Sequence, residues 1–230
     1  SMFFGKYAML ACYSMYLLGI VIAILTAYII SKIDGSKAEH ALLIELPEYK
    51  APNARTIAVY VWEKVKDYLT KAGTVIFFAS IVMWLLLNVG PSGFVTDITE
   101  SFGAVIGKAI VPFFKPLGLG YWQIVVALIS GIAAKEVVVS SCSVLFGIQN
   151  ITTSHGMDSF VAALGAMGFG AANAYALMVF CLLYVPCTAT IATIHREVGS
   201  TKVTAGLVLF QLAVAWVVSF IAFHVAGLFL

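Results

Sequence analysis

The chain has 230 residues, of which 62% are hydrophobic and only 10% are charged, and its net charge is +2. Soluble domains are about 45–50% apolar and about 25% charged, and a globule of this size leaves roughly 30% of its surface in water. The composition therefore excludes a water-soluble globule and a disordered chain, and the near-neutral charge gives no indication of nucleic-acid binding. It predicts an all-α integral membrane protein embedded in the lipid bilayer.

Five apolar runs approach or exceed the length of a membrane span, which needs about 20 mainly apolar residues. They are residues 7–30, 72–89, 122–146, 174–194 and 204–230. Two further apolar pieces, residues 100–119 and 160–169, are short and rich in Gly, and the first also contains prolines. The sequence thus predicts about five transmembrane helices and two short re-entrant or interfacial pieces.

The connector between the first two runs carries much of the charge. Seven of the 13 basic residues lie there, so the positive-inside rule predicts a cytoplasmic location. Pro47 and Pro52 argue against a helix in its first part. Residues 55–71 alternate with a helical period, apolar on one side and charged on the other. This pattern predicts an amphipathic helix in the membrane interface.

Lys135 and Glu136 form the first candidate site, near the middle of residues 122–146. An ionisable group inside a membrane segment costs about 2.5–3.5 kcal/mol on insertion scales, so it suggests a function. Adjacent helical residues point about 100° apart, and we therefore expect each to meet a different partner: a backbone carbonyl, a second charge or an ion. Ser140 follows Glu136 by one turn. The alternative is a pair of buried charges that only fixes helix packing.

Residues 185–188, Val-Pro-Cys-Thr, form the second candidate site. Pro186 has no N–H, so it leaves the carbonyl of Leu182 without its helical donor. Transporters place ion sites at such breaks because freed carbonyls coordinate cations. Cys187 would add a soft sulfur ligand suited to a late first-row metal, and Thr188 a hydroxyl. The alternative is a proline kink beside a packed cysteine.

Enzyme motifs are missing from the sequence. Residues 103–109 come nearest to a phosphate-binding loop, but one spacer is lacking and no Ser or Thr follows Lys108. The HExxH and GxSxG patterns do not occur, and the four cysteines form no CxxC pair. The sequence therefore predicts neither an enzyme nor a nucleotide site.

Several motifs resemble the FeoB family of bacterial ferrous-iron transporters. Residues 45–52, Glu-Leu-Pro-Glu-Tyr-Lys-Ala-Pro, are similar to a family signature, and residues 62–74 resemble its interfacial helix. Residues 106–118, 127–140 and 183–190 then follow in the order of the second Gate repeat. The resemblance implies a C-terminal membrane piece of such a transporter. Residues 1–99 would hold the end of the first Gate repeat region with the connector, and residues 100–230 the second Gate repeat with the last helices.

The resemblance also implies a function and partners. Fe²⁺ would be the transported substrate, carried across the bacterial inner membrane by a multi-pass protein. An N-terminal GTP-binding domain elsewhere on the full chain would gate or drive it, and a small accessory cytoplasmic protein and a second copy of the chain are further expected partners. Ser141-Cys142-Ser143 stands where relatives have Thr-Leu-Gly, so Cys142 is not expected to be a ligand. The expected pathway residues are Cys187, Glu136, Thr188 and Ser140, and the expected structural or gating residues are Pro186, Lys135, Glu45 and Pro47.

Two other functions stay open from the residues alone. A Gate-type permease for an organic solute such as a nucleoside would need hydrogen-bonding groups around a larger cavity. The candidates are Ser140, Ser141, Asn173 and Gln211. A non-transporting assembly or dimerisation domain would instead use small-residue stretches such as residues 162–166 for tight helix contacts.

Overall fold

The computed structural model describes residues 3–34, 53–91, 93–95, 97–132, 135, 137–147 and 154–229. Within these ranges the fold is all-α, as predicted, apart from one two-residue antiparallel pairing of Val89–Gly90 with Gly93–Phe94. The helices are α1 (Ala8–Asp34), α2 (Ala54–Asn88), α3 (Phe102–Phe114), α4 (Trp122–Ser130), α5 (Val137–Leu145), α6 (Ser154–Ala166), α7 (Ala171–Leu183), α8 (Thr188–Val198) and α9 (Thr201–Phe229).

Two helices in the described part of the chain are long and apolar enough to cross a bilayer unaided. They occupy residues 5–32 and 201–228, which comprise most of α1 and α9. The pairs α3–α4 and α6–α7 pass the same test together but are bent by 101° and 107°. The described residues thus give two spans, or up to four if each bent pair counts as one, and the predicted number of about five is not confirmed.

Helix α2 joins two elements that the sequence predicts separately. It runs without interruption from Ala54 to Asn88, and the side chain of Asn53 caps its start by accepting from the Arg55 N–H at 3.0 Å. At 1.5 Å per residue its 35 residues extend about 52 Å, well beyond the roughly 30 Å of a hydrocarbon core. The predicted interfacial helix is therefore continuous with the predicted span, because no proline separates them.

Residues 122–146 form a helical hairpin rather than the predicted single span. Helix α5 folds back on α4, and the Ser130 hydroxyl donates to the Ser141 Oγ at 2.7 Å across the pair. Val126 and Ala127 of α4 share one apolar cluster with Val138 and Cys142 of α5. Hydropathy suggests the span because both arms are apolar, and the reversal depends on these contacts between them.

Two stretches of chain share one order of elements. We call α3–α4–α5 the first unit and α6–α7–α8 the second unit. Gly118 in the first unit and Gly168 in the second have φ values of 71° and 81°, which favour glycine. At both turns the glycine N–H donates to the carbonyl three residues back, and the next N–H donates to the carbonyl five residues back. That next residue, Leu119 or Phe169, is buried in the main core.

Helix α7 lies at the centre of the core. Helix α9 runs antiparallel along the second unit, since Ser219 donates to the Ala176 carbonyl at 2.8 Å while Thr204 contacts His195 at 3.4 Å. On another side, α1 contacts α7 through Ser14 and the Tyr175 hydroxyl, 3.0 Å apart. The first half of α7 is therefore held between α1 and α9.

Candidate functional site

Helix α7 ends where the proline predicts. Its last helical hydrogen bond runs from the Tyr184 N–H to the Phe180 carbonyl at 2.8 Å. Residues 184–187 are not helical, and α8 begins at Thr188. Because Pro186 cannot donate, the carbonyl of Leu182 has no helical partner.

Lys135 fills this end of α7. Its ammonium group donates to the Cys181 carbonyl at 3.1 Å and approaches the carbonyls of Leu182 and Tyr184 at 3.4 and 3.5 Å. It also lies 5.0 Å from the centre of the Tyr184 ring. A cation at a helix carboxyl end interacts favourably with the helix dipole. Of the three kinds of partner that the sequence left open, Lys135 meets backbone carbonyls.

The start of α8 makes the reciprocal contact. In a continuous helix the Thr188 N–H would donate to the Tyr184 carbonyl. It donates instead to the Ile132 carbonyl, just beyond α4, at 3.1 Å. The two helix breaks thus exchange partners: the end of α7 receives a side chain from beyond α4, and the end of α4 receives an N–H from beyond α7.

Tyr184 and Gly131 bring the two breaks into close contact. The Tyr184 hydroxyl donates to the Leu128 carbonyl at 3.4 Å. A Cβ at Gly131 would overlap this hydroxyl and a methyl group of Val138. Glycine is therefore required at this position by the close approach of the Val138 and Tyr184 side chains. Neither Gly131 nor Tyr184 was among the site residues expected from the sequence. No local signal indicates the contacts of Tyr184 with Leu128 and Lys135, because both residues lie more than 45 positions away.

Cys187 and Thr188 supply side-chain polar atoms at the start of α8. Cys187 is half-buried at the N-cap, with its Sγ 3.2 Å from the Thr190 Oγ1. The Thr188 Oγ1 is buried and has no hydrogen-bond partner among the residues that the structure describes. A thiol and a buried hydroxyl thus stand beside the carbonyl end of α7.

The structure brings together four of the eight expected site residues: Lys135, Pro186, Cys187 and Thr188. Ser140 belongs to α5, but its side chain is not described. Glu136, Glu45 and Pro47 lie outside the described residues. Cys142 is buried against apolar neighbours. In the described ranges no three His, Cys, Asp or Glu side chains form a group that could hold a metal ion.

A separate cavity of about 410 Å³ lies between α4, α5, α6 and α7. Its wall is almost wholly apolar and includes Ile124, Phe146, Phe160 and Leu177, with Cys142 among them. The cavity offers few groups that could hydrogen-bond a polar solute.

These helices define a multi-pass membrane protein with two crossed helix breaks. Residues 69–201, more than half of the chain, match the Gate family model, described as nucleoside recognition, and the chain belongs to the Gate family. Residues 12–64 match the model for the ferrous iron transport protein B C terminus. Together with the curated relatives, these matches identify the chain as a C-terminal membrane portion of FeoB.

Curated relatives match along nearly the whole chain. The Fe(2+) transporter FeoB of Staphylococcus aureus is 37% identical over 99% of this chain and 33% of its own length. The Fe(2+) transporter FeoB of Methanocaldococcus jannaschii is 38% identical over 95% of this chain and 32% of its own length. A Fe(2+) transport protein A/FeoB fusion protein of Porphyromonas gingivalis is 30% identical over 99% of this chain and 32% of its own length. The chain spans about a third of these relatives, and no solved structure matches it.

Proposed function

We propose that this chain forms part of the Fe²⁺ pathway of a ferrous-iron transporter in the bacterial inner membrane. The observation that carries the proposal is the meeting of two helix breaks, at which Cys187 and the buried Thr188 hydroxyl adjoin the carbonyl end of α7. Discontinuous helices that meet in this way form ion sites in transporters. The names of the relatives supply the ion.

In this proposal Fe²⁺ exchanges water for protein ligands at the break. The Cys187 sulfur is a soft ligand suited to a late first-row metal, and the Thr188 oxygen and the α7 carbonyls complete a mixed set. Glu136 and Ser140 belong to the proposed pathway through the family resemblance, and Pro186 keeps the break open. Glu45 and Pro47 would be structural residues of the connector, and the division near residue 100 is part of the same proposal.

The proposed partners follow from the relatives. Because the chain spans about a third of them, we propose that an N-terminal GTP-binding domain elsewhere on the full protein drives the pathway through the long helix α2. The fusion relative includes Fe(2+) transport protein A, which supports a small accessory protein as a second partner. A second copy of the chain could pack on α6, where Gly165 has open space beside it.

A nucleoside permease is the second candidate, favoured by the description of the Gate model. Two of its expected hydrogen-bonding side chains are engaged within the fold: Ser141 with Ser130, and Asn173 with the Gly118 carbonyl at 2.6 Å. The 410 Å³ cavity is apolar, whereas a nucleoside needs polar groups on its wall. These contacts favour the ferrous-iron pathway.

The test is anaerobic Fe²⁺ uptake into proteoliposomes by the full-length transporter. We expect Cys187→Ser to lower uptake by about tenfold or more, the scale of losses at perturbed metal sites. Cys12→Ser is the matched control, because Cys12 is exposed on α1 and should be neutral. Wild-type uptake by a folded Cys187→Ser variant would contradict the role of Cys187. Uptake that nucleosides compete would instead support the second candidate.

A further inference from the structure

We infer that the carboxyl end of α7 is a monovalent-cation site, and that Lys135 occupies it with its own ammonium group as a tethered cation. The inference rests on the proposed function and concerns the regulation of that pathway. While Lys135 is bound there, the carbonyl oxygens at the end of α7 are occupied; when Lys135 moves away, a soluble cation can bind them.

The carbonyl set is the first observation. The oxygens of Cys181, Leu182 and Tyr184 converge on one point, the Lys135 Nζ, at 3.1, 3.4 and 3.5 Å. All three oxygens lie beyond the last helical hydrogen bond of α7, which ends at the Phe180 carbonyl. Pro186 has no N–H to offer Leu182, and the Thr188 N–H is turned to Ile132 instead of Tyr184. Backbone carbonyls that converge in this way replace the hydration shell of a monovalent cation.

The occupant is the second observation. An ammonium group is a compact point charge with three donors, and in charge and size it resembles K⁺. The Tyr184 ring, 5.0 Å from the Lys135 Nζ, adds an electrostatic attraction for any cation at this point. The hydroxyl of the same ring is held by the Leu128 carbonyl, so the ring stays in place when the cation changes.

The charge of the site is the third observation. The start of α8 carries the positive end of a helix dipole, and Cys187 and Thr188 lie at that end. With Lys135 seated beside them, the position next to Cys187 is electropositive, so a divalent cation is repelled there. Withdrawal of Lys135 removes one positive charge and uncovers three carbonyl oxygens. Occupation by Lys135 and by a divalent cation therefore exclude each other.

The first test uses the full-length transporter in detergent. We expect Lys135→Met to make thermal stability depend on K⁺, with a Tm about 3 °C or more higher in KCl than in N-methylglucamine chloride. The wild type should show no such difference. Lys108→Met is a matched control, because Lys108 also donates to a carbonyl, that of Thr99 at 3.1 Å, and also lies over an aromatic ring, that of Trp122. We expect its Tm to be the same in both salts.

The second test uses the same proteins in proteoliposomes with a rubidium tracer. We expect Lys135→Met to bind or pass rubidium about tenfold more than the wild type, and Lys135→Arg to remain near the wild-type value. If the methionine variant does not fold, Lys135→Gln removes the same charge with a polar side chain. Equal Tm in both salts together with wild-type rubidium flux in the folded variant would overturn the inference. These readouts need no iron, so they fail or succeed separately from the Cys187→Ser uptake test.

Discussion

The first and second units differ in the path that the chain takes beyond their glycine turns. In both, a left-handed glycine precedes an apolar helix, α4 or α7, which then breaks. After the first break α5 folds back on α4, whereas after the second break α8 continues away and packs on α9 and α2. The same order of elements thus gives a closed hairpin in one unit and two separated helices in the other. The break therefore determines where each helix ends, whereas the helices packed against the next segment determine the direction in which α5 or α8 runs.

The asymmetry has a consequence for the site. Lys135 lies between the two arms of the hairpin in sequence, and its ammonium group reaches the end of α7. The break between α7 and α8 leaves carbonyls at the end of one helix and N–H groups at the start of the next. Only the combination satisfies both ends, since Ile132 accepts from Thr188 while the α7 carbonyls accept from Lys135.

The largest expected effect comes from closing the gap between the units. Gly131→Ala should destabilise the protein by about 3 kcal/mol, the upper end for overpacking, because the methyl group overlaps the Tyr184 hydroxyl and Val138. An apparent Tm lower by roughly 6–12 °C would be the measured result. Gly165→Ala in α6 is the matched control, because open space lies beside Gly165 and alanine favours a helix. Equal Tm values for the two variants would contradict the close approach of Tyr184 and Val138 to Gly131.

A comparison of the two glycine turns should give a smaller effect. Gly118→Ala and Gly168→Ala both place a Cβ on a left-handed residue, at a cost of about 1–2 kcal/mol. At Gly118 the Cβ also meets the Phe223 ring, whereas at Gly168 the nearest atom is the Tyr121 hydroxyl at 3.9 Å. We expect Gly118→Ala to lower stability by about 1 kcal/mol more, measured as the difference in Tm. A larger loss of stability for Gly168→Ala than for Gly118→Ala would contradict the close contact between Gly118 and Phe223.

The sequence predicts the break at Pro186 but not the reversal between α4 and α5, for a physical reason. A proline removes a donor wherever it stands, so Pro186 marks the end of α7 by itself. The reversal between α4 and α5 depends on Ser141 meeting Ser130 and on the room left by Gly131, which are contacts across the hairpin. The continuity of α2 was missed for a related reason: a change from amphipathic to apolar pattern does not interrupt a helix.

The chemistry of the candidate site could be predicted from the sequence, but the contacts that its residues make could be predicted only in part. The cost of a charge in a membrane segment requires a partner for Lys135, and a carbonyl was among the three expected kinds. Which carbonyls it would meet depends on the crossing of two chain segments about 46 residues apart. Nothing in the sequence pairs Tyr184 with Lys135 or Leu128, so its place between them is a consequence of the fold alone.

The smallest expected effect tests the contact between the two turns themselves. Each turn holds the other: Asn173 donates to the Gly118 carbonyl at 2.6 Å, and the Tyr121 hydroxyl donates to the Met167 carbonyl at 2.9 Å. Asn173 is partly buried and also accepts from the Gly170 N–H at 3.0 Å, so Asn173→Ala loses two hydrogen bonds and should cost about 1.5 kcal/mol.

Tyr121→Phe keeps the ring and loses one bond at a more exposed position, so we expect a cost of about 0.5 kcal/mol. The measurement is the Tm of each variant and of the double variant in one detergent. Because both bonds join the same two turns, the double variant should lose less than the sum of the single losses. If the loss in the double variant equals the sum of the two single losses, the two hydrogen bonds act independently and the turns do not form one interface.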